Sequence, residues 1–438
     1  MDDHGKGDAP PVAEFLRDHA STGGGVGSGR DPVTSPASVD IPQPKRKRRR
    51  RRKRGVFVRG AEPCADRKAA PQKAPALTPQ PAPAEFARRS KAYAARLSSS
   101  PDADALYAAL DLGTNNCRLL VATPGRPGRF RVVDAFSRIV RLGEGLAASG
   151  RLSDAAMERA VEALSVCAQK LDGRSLAGVR MIATEACRAA ENGPHFIERV
   201  RRETGLDLEI IDRRTEARLA VSGCGSLVSR DTDGVVLFDI GGGSSEIALI
   251  DLSRHRTPRL ADHILSWTSL PTGVVSLAER FGGRVVTPVI FEAMVSHVSE
   301  MLAQFDGGTR LAHVAGSGKF HLLGTSGTVT TLAGVHLGLK RYDRRRVDGL
   351  WMERASVDRI IDTILNWSFD ERRANPCIGL ERADLVLAGC AILEAIRRHW
   401  PAERLRVADR GLREGMLNEM MARDGVWRRR KQNGACPA

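Results

Sequence analysis

Residues 234–252, GVVLFDIGGGSSEIALIDL, read as an apolar strand, an aspartate, a glycine-rich turn and a second apolar strand. The same pattern stands at 105–122, ALYAALDLGTNNCRLLVA. Asp111 corresponds to Asp239, and each is followed by one apolar residue and then glycine. Runs of this length, broken by a turn of small and polar residues, predict paired strands. Their recurrence predicts a duplicated α/β fold in which the two turns face each other across a cleft.

The sequence between the two stretches supports this reading. RFRVVDAFSRIVRLG at 129–143 supplies a third strand, and Ser153 is placed to cap a helix that buries Met157, Val161, Leu164 and Leu171. A strand at 179–184, a helix at 194–203, a strand at 206–211 and a helix at 215–227 follow. Strands alternating with helices are the pattern of an α/β sheet.

The 438 residues suggest two or three domains. Hydrophobic residues at 42% support a packed core, and aromatics at only 5% make it mainly aliphatic. No apolar run reaches the roughly 18 residues that cross a bilayer. The start, MDDHGKGDAP, has neither a basic nor an apolar leader region. The eight cysteines form no C-x-x-C pair, which favours reduced, buried thiols and a cytoplasmic protein.

Of the net charge of +16, Lys45–Arg54 (KRKRRRRRKR) carries +10, which leaves +6 for the rest. Thirteen of the 22 prolines fall in residues 1–103. Such a segment buries too little apolar surface to offset its ordering entropy and is expected to be disordered. The basic run reads either as a solvated block or as an arm for polyanions such as nucleic acid. The expected organisation is therefore a disordered segment 1–103, a first domain 104–230 and a second domain 231–438, with the last helix able to pack back on the first domain.

Glycine-rich turns between strands expose backbone N–H groups that bind phosphate oxygens. Gly241, Gly242, Gly243, Ser244 and Ser245 form one such cradle. Gly113, Thr114, Asn115 and Asn116 form another, with Arg118 nearby to match phosphate charge. A third small-residue loop runs from Gly324 to Thr328. Asp111 and Asp239 end their strands beside the cradles, where an ionised carboxylate repels phosphate unless a cation intervenes. Mg²⁺ between carboxylate, water and phosphate resolves this, with Glu246 as a further candidate ligand. The alternative is that both aspartates only hold their turns by hydrogen bonds. GSGK at 316–319 is no P-loop, because Phe320 stands where Ser or Thr is needed.

Four segments in this order, DLGTNNCRLLV (111–121), ATEACRAAENGPHFIERV (183–200), DIGGGSSEIAL (239–249) and RVADRGLREGML (406–417), resemble the Ppx/GppA phosphatases, the exopolyphosphatases and guanosine pentaphosphate phosphohydrolases. The resemblance implies two ribonuclease-H-like domains of the actin/Hsp70/sugar-kinase superfamily flanking a cleft. It implies that Glu216, in DRRTEARLA, activates the attacking water; by residue type alone Glu216 reads as a surface ion-pair partner. It further implies Mg²⁺ on Asp239 and Glu246, and phosphate on Arg118, Arg188 and Arg141. The implied substrates are inorganic polyphosphate and guanosine pentaphosphate, and the implied assembly is a homodimer. The arginines Arg199, Arg201, Arg202, Arg213, Arg214 and Arg218 suit a long anion or a solvated helix face. Two other readings stay open: a polyphosphate or alarmone sensor without catalysis, and an ATP-using kinase or ATPase of the same fold. LLGTSGTVT (322–330) lacks the adenosine-binding pattern of the latter.

Overall fold

The computed structural model describes residues 105–126 and 128–427. The expectations for residues 1–103, including the basic run Lys45–Arg54, lie outside the described residues. The first sheet contains β1 (Leu106–Leu112), β2 (Asn116–Pro124), β3 (Phe130–Ile139), β4 (Leu176–Ala183) and β5 (Glu209–Ile210), ordered β3-β2-β1-β4-β5. The second contains β6 (Gly234–Ile240), β7 (Ser245–Asp251), β8 (Ile264–Leu270), β9 (Phe320–Thr325), β10 (Trp351–Glu353) and β11 (Arg404–Val407), ordered β10-β11-β9-β6-β7-β8. Read from β8, the second sheet repeats the first and adds β10 at its edge. In each, an antiparallel three-strand meander is followed by two parallel strands.

The repeat holds residue by residue. Asp111 pairs across its hairpin with Arg118, and Asp239 with Glu246. Gly113 N–H donates to the Asn116 carbonyl (2.9 Å), and Gly241 N–H to the Ser244 carbonyl (3.0 Å). Both turns therefore close in the same way, through their own backbones.

Strands whose two faces are both buried sort alternate residues into different cores. Ala108, Leu110 and Leu112 face one core, built with the helices Asp154–Leu171 and Gly193–Thr204. Val236, Phe238 and Ile240 face another, built with Pro288–Ala303 and Val386–His399. Tyr107, Ala109, Val235 and Leu237 share a third core with Leu219, Val221, Leu417 and Met420. These last four come from the helices Arg213–Cys224 and Leu412–Arg423, which pack against each other, and the second also lies on β1.

Local signals behave as expected. The Ser153 hydroxyl accepts from Ala156 N–H (3.3 Å), and Met157, Val161, Leu164 and Leu171 are buried. The expected strand 206–211 is reduced to Glu209–Ile210, because it is an edge strand and only its end meets β4. Leu206 and Leu208 still enter the core. Of the expected helix 215–227, the α-helical part runs Arg213–Cys224 and the rest is a 3-10 turn. The six described cysteines are free and buried. No described helix is long and apolar enough to cross a membrane.

Candidate active site

The two turns meet. A Cβ on Gly242 would lie 3.0 Å from Thr114 Cβ, and one on Gly243 would lie 2.8 Å from Thr114 Oγ1. Glycine is needed here for close approach rather than for an unusual φ. The turn carbonyls are taken by neighbouring segments. The Val140 and Arg141 amides donate to the Asn115 carbonyl, Gly143 N–H to Thr114, Val274 N–H to Gly241 and Val275 N–H to Gly242. The amides of Thr114, Asn115, Gly242, Gly243 and Ser244 have no protein acceptor among the described residues. Asn115 Oδ1 and Asn116 Oδ1 are buried without partners. Unpaired backbone donors at this density are rare inside proteins and mark a site that expects an acceptor.

They open on a cavity of about 730 Å³ that also receives Gly113, Arg118, Asp111, Asp239, Glu246 and Glu216. Thr325, Ser326 and Gly327 of the third loop line it too, at the start of the Ser326–His336 helix. The two aspartates do not hold their turns. Asp111 accepts no hydrogen bond among the described residues, and Asp239 receives one only from Ser326. Glu246 Oε1 accepts from the hydroxyls of Ser244 (2.6 Å) and Ser269 (3.0 Å). Burial raises the pKa of all four carboxylates: Asp239 to about 6, Glu246 to about 7 with further help from Asp239, Glu216 well above its ordinary range, and Asp111 upward against the pull of Arg118 and Arg413.

Glu216 is 6% exposed. Asp212 caps its helix by accepting from Thr215 N–H (2.8 Å), which places Glu216 in the first turn, facing the cleft. The residue pattern alone favoured a surface position; packing of this helix beneath β7 and the Leu412–Arg423 helix buries it instead.

Three expected phosphate contacts, Arg188, Ser245 and Arg141, do not line the cavity. Arg188 bridges Glu185 (2.6 Å) and Glu216 (2.9 Å) and donates to the Ile211 carbonyl (2.6 Å). Two buried carboxylates claim its guanidinium, so here it orients Glu216. Ser245 is fully buried in β7, and its hydroxyl donates to the Thr272 carbonyl (2.8 Å) because strand alternation turns it away from the Ser244 side. Arg141 pairs with Asp384 (3.0 Å). None of the six helix arginines lines the cavity. Arg199 pairs with Glu158 and Glu203, Arg213 with Glu185, and Arg218 with Glu419. Glu185, Arg413 and Glu414 also line the cavity; all three sit inside the quoted segments 183–200 and 406–417, where residue type alone does not single them out.

The donor set of Asp111, Asp239 and Glu246 is all oxygen, and one of its members has no hydrogen bond. That suits a hard divalent cation. Among the described residues no three acidic, histidine or cysteine side chains converge as a ready-made ligand cage. A cation held by one or two carboxylates, with water and substrate oxygens completing its shell, is what Mg²⁺ commonly takes.

The raised carboxylates carry a stability prediction. A group whose pKa is higher folded than unfolded holds its proton more tightly in the fold, so stability falls as pH rises between the two values. For Glu246 that window runs from 4.5 to about 7, and for Asp239 from 3.8 to about 6. In chelator-treated protein Glu246→Gln is expected to gain melting temperature relative to the wild type as pH rises from 4.5 to 7, while the buried His321, whose pKa is lowered to about 4, bends both curves alike. A variant curve parallel to the wild type would contradict the assigned burial cost.

Comparison with known proteins bears on this geometry. The family model of the Ppx/GppA phosphatases matches residues 122–424. A guanosine-5'-triphosphate,3'-diphosphate pyrophosphatase of Photobacterium profundum is 28% identical over 334 residues, 73% of this chain and 60% of that protein. This chain thus spans 60% of the length of that curated relative. A Ppx/GppA family member from Aquifex aeolicus superposes with TM-score 0.58 at 27% identity, covering 73% of this chain and 98% of the other. An exopolyphosphatase-like protein gives 0.65 at 27% identity, covering 74% and 99%. The strand order repeated on both sides of one cleft defines the actin-like ATPase type of α/β fold. Within that class, this chain belongs to the Ppx/GppA phosphatase family.

Proposed function

We propose that this chain hydrolyses the terminal phosphoanhydride of inorganic polyphosphate, releasing orthophosphate, and acts in the same way on guanosine pentaphosphate. The observation that supports this most is the set of five unpaired amides, from Thr114 to Ser244, on two opposed turns. Such preorganised donors neutralise the oxygens of a phosphoryl group and cost no reorganisation during reaction. Arg118 adds charge beside them.

Glu216 holds a water for in-line attack and takes its proton. The new P–O bond forms as the bond to the bridging oxygen breaks, and the electron pair leaves with the shortened chain. Burial and the neighbouring Glu246 raise the pKa of Glu216, which makes its carboxylate a stronger base than an exposed one, and Arg188 fixes it. Asp111, Asp239 and Glu246 are the residues that would hold Mg²⁺, which when bound neutralises phosphate charge. The turn amides do the binding. This reading assigns the two sheets to domains 104–230 and 231–438 and places the protein in the cytoplasm.

The test is orthophosphate release by purified protein with Mg²⁺ from polyphosphate, guanosine pentaphosphate and ATP. Release from the first two, and faster than from ATP, is expected. Release from none of them would overturn the reading in favour of a binding protein.

A further inference from the structure

The segment RVADRGLREGML (406–417) lies far from both turns in sequence, and its arginines are not equivalent in the fold. Arg410 is held by Asp348 and Ser226, and Arg344, which meets the same segment, by Glu414 and Asp409. Arg413 is different. It is half-buried in the wall of the cavity, near the start of the Leu412–Arg423 helix, and makes no hydrogen bond or ion pair among the described residues. Arg118, on β2 in the same cavity, has none either.

The acids around Arg413 do not supply the missing partners. Glu414 spends Oε1 on Arg344 (2.8 Å) and Oε2 on the Gly411 amide (2.9 Å). Asp409 accepts from the Tyr342 hydroxyl (2.8 Å) and lies against Arg344. Asp111 is near enough to interact electrostatically with both free arginines but reaches neither as an ion pair. Burial and the neighbouring Arg118 and Arg344 all disfavour the charge on Arg413. A guanidinium offers five N–H donors in a fixed fork that matches phosphate oxygens. Two such forks face one cavity, and neither is taken by an acceptor among the described residues.

The geometry points to Arg413, together with Arg118, as a guanidinium pair that directly contacts a phosphate group of the bound substrate. Arg413 is thus a further substrate-binding residue, supplied by the last described helix. This rests on the reading of the cavity as a phosphate site. It also accounts for a segment whose role the hydrolysis scheme left open: Gly411 and Glu414 build the start of the helix, and Arg413 is the residue it delivers to the substrate.

The test uses methylenediphosphonate, whose P–C–P bridge is not hydrolysed, titrated calorimetrically into the full-length protein. Arg413→Gln should weaken binding about 10- to 100-fold, the usual range for losing charge-assisted hydrogen bonds, with the melting temperature unchanged. Arg413→Lys keeps the charge but loses the fork and should fall between. Should Arg413→Gln fail to fold, Arg413→Lys decides: weaker binding at wild-type stability supports the contact, and unchanged affinity overturns it. Unchanged affinity in a folded Arg413→Gln protein, or no binding by the wild type, likewise overturns it. The two readings fail separately. Arg413-dependent phosphonate binding without orthophosphate release from any substrate keeps this contact and removes the hydrolase. Hydrolysis with unaltered phosphonate affinity in Arg413→Gln does the reverse.

Discussion

Glu216→Gln should lower the turnover number for orthophosphate release by about 10²- to 10⁴-fold, the usual worth of a general base, and leave KM within a few-fold. The glutamine keeps the shape of the side chain and can still meet Arg188, so the helix and the turns have no reason to move. It cannot take a proton. The amides of Thr114, Asn115, Gly242, Gly243 and Ser244 remain, so substrate should still bind and a residual rate from charge stabilisation should persist. The pH profile should change with it. In the wild type the rate should climb as Glu216 loses its proton, above the ordinary carboxylate range because burial and Glu246 raise its pKa. In the variant that limb should vanish. Phosphate release measured across pH, with kcat and KM separated, checks both points. A kcat within twofold of the wild type would remove Glu216 from the reaction.

Gly223→Ala should unsettle the site from a distance. A Cβ there would lie 2.0 Å from the Gly411 carbonyl oxygen and 3.0 Å from the Gly415 amide. One Cβ on Gly415 would lie 2.0 Å from the Leu219 carbonyl. The Glu216 helix and the Arg413 helix therefore touch backbone to backbone, and a single methyl has to push them apart. Overpacking of this kind costs about 1–3 kcal/mol, and sometimes more. It also displaces the two side chains that the helices carry into the cleft, and a shift of about 1 Å can cost about 10²-fold in rate. The expected result is a melting temperature lower by several degrees and kcat/KM lower by about 10²-fold. Gly318→Ala, where a Cβ meets nothing within 4 Å, should change neither. Equal stability of the two variants would mean that the helices tolerate separation.

Much of the site was legible because it is local. The turns announce themselves by glycine and small polar residues between apolar runs, and the strand ends place Asp111 and Asp239 beside them. The match of Asp111 to Asp239 predicted the duplicated topology, and the register extends it to Arg118 and Glu246. Ser153 marked its helix by a capping bond three residues long. The errors are also instructive. The stretch 206–211 has a strand pattern, yet pairing needs a neighbour, and β4 offers one only at Glu209–Ile210. The resemblance implies a phosphate contact for Arg188, and in the fold Glu185 and Glu216 take its guanidinium.

Alone, then, the order of residues determined where the strands, turns and helix caps would form, that the unit occurs twice, and which turn amides lack a crowded side chain. These depend on neighbours a few positions away, and short-range sterics and hydrogen bonding decide them. Only the tertiary structure decided that Glu216 is buried, that Ser245 turns toward Thr272, and that Arg413 enters the cleft with its donors unused among the described residues. Each of those depends on which distant segment arrives to exclude water or to offer a partner. Close packing of the Leu412–Arg423 helix on the Arg213–Cys224 helix, some 200 residues earlier, is settled only when the whole core assembles.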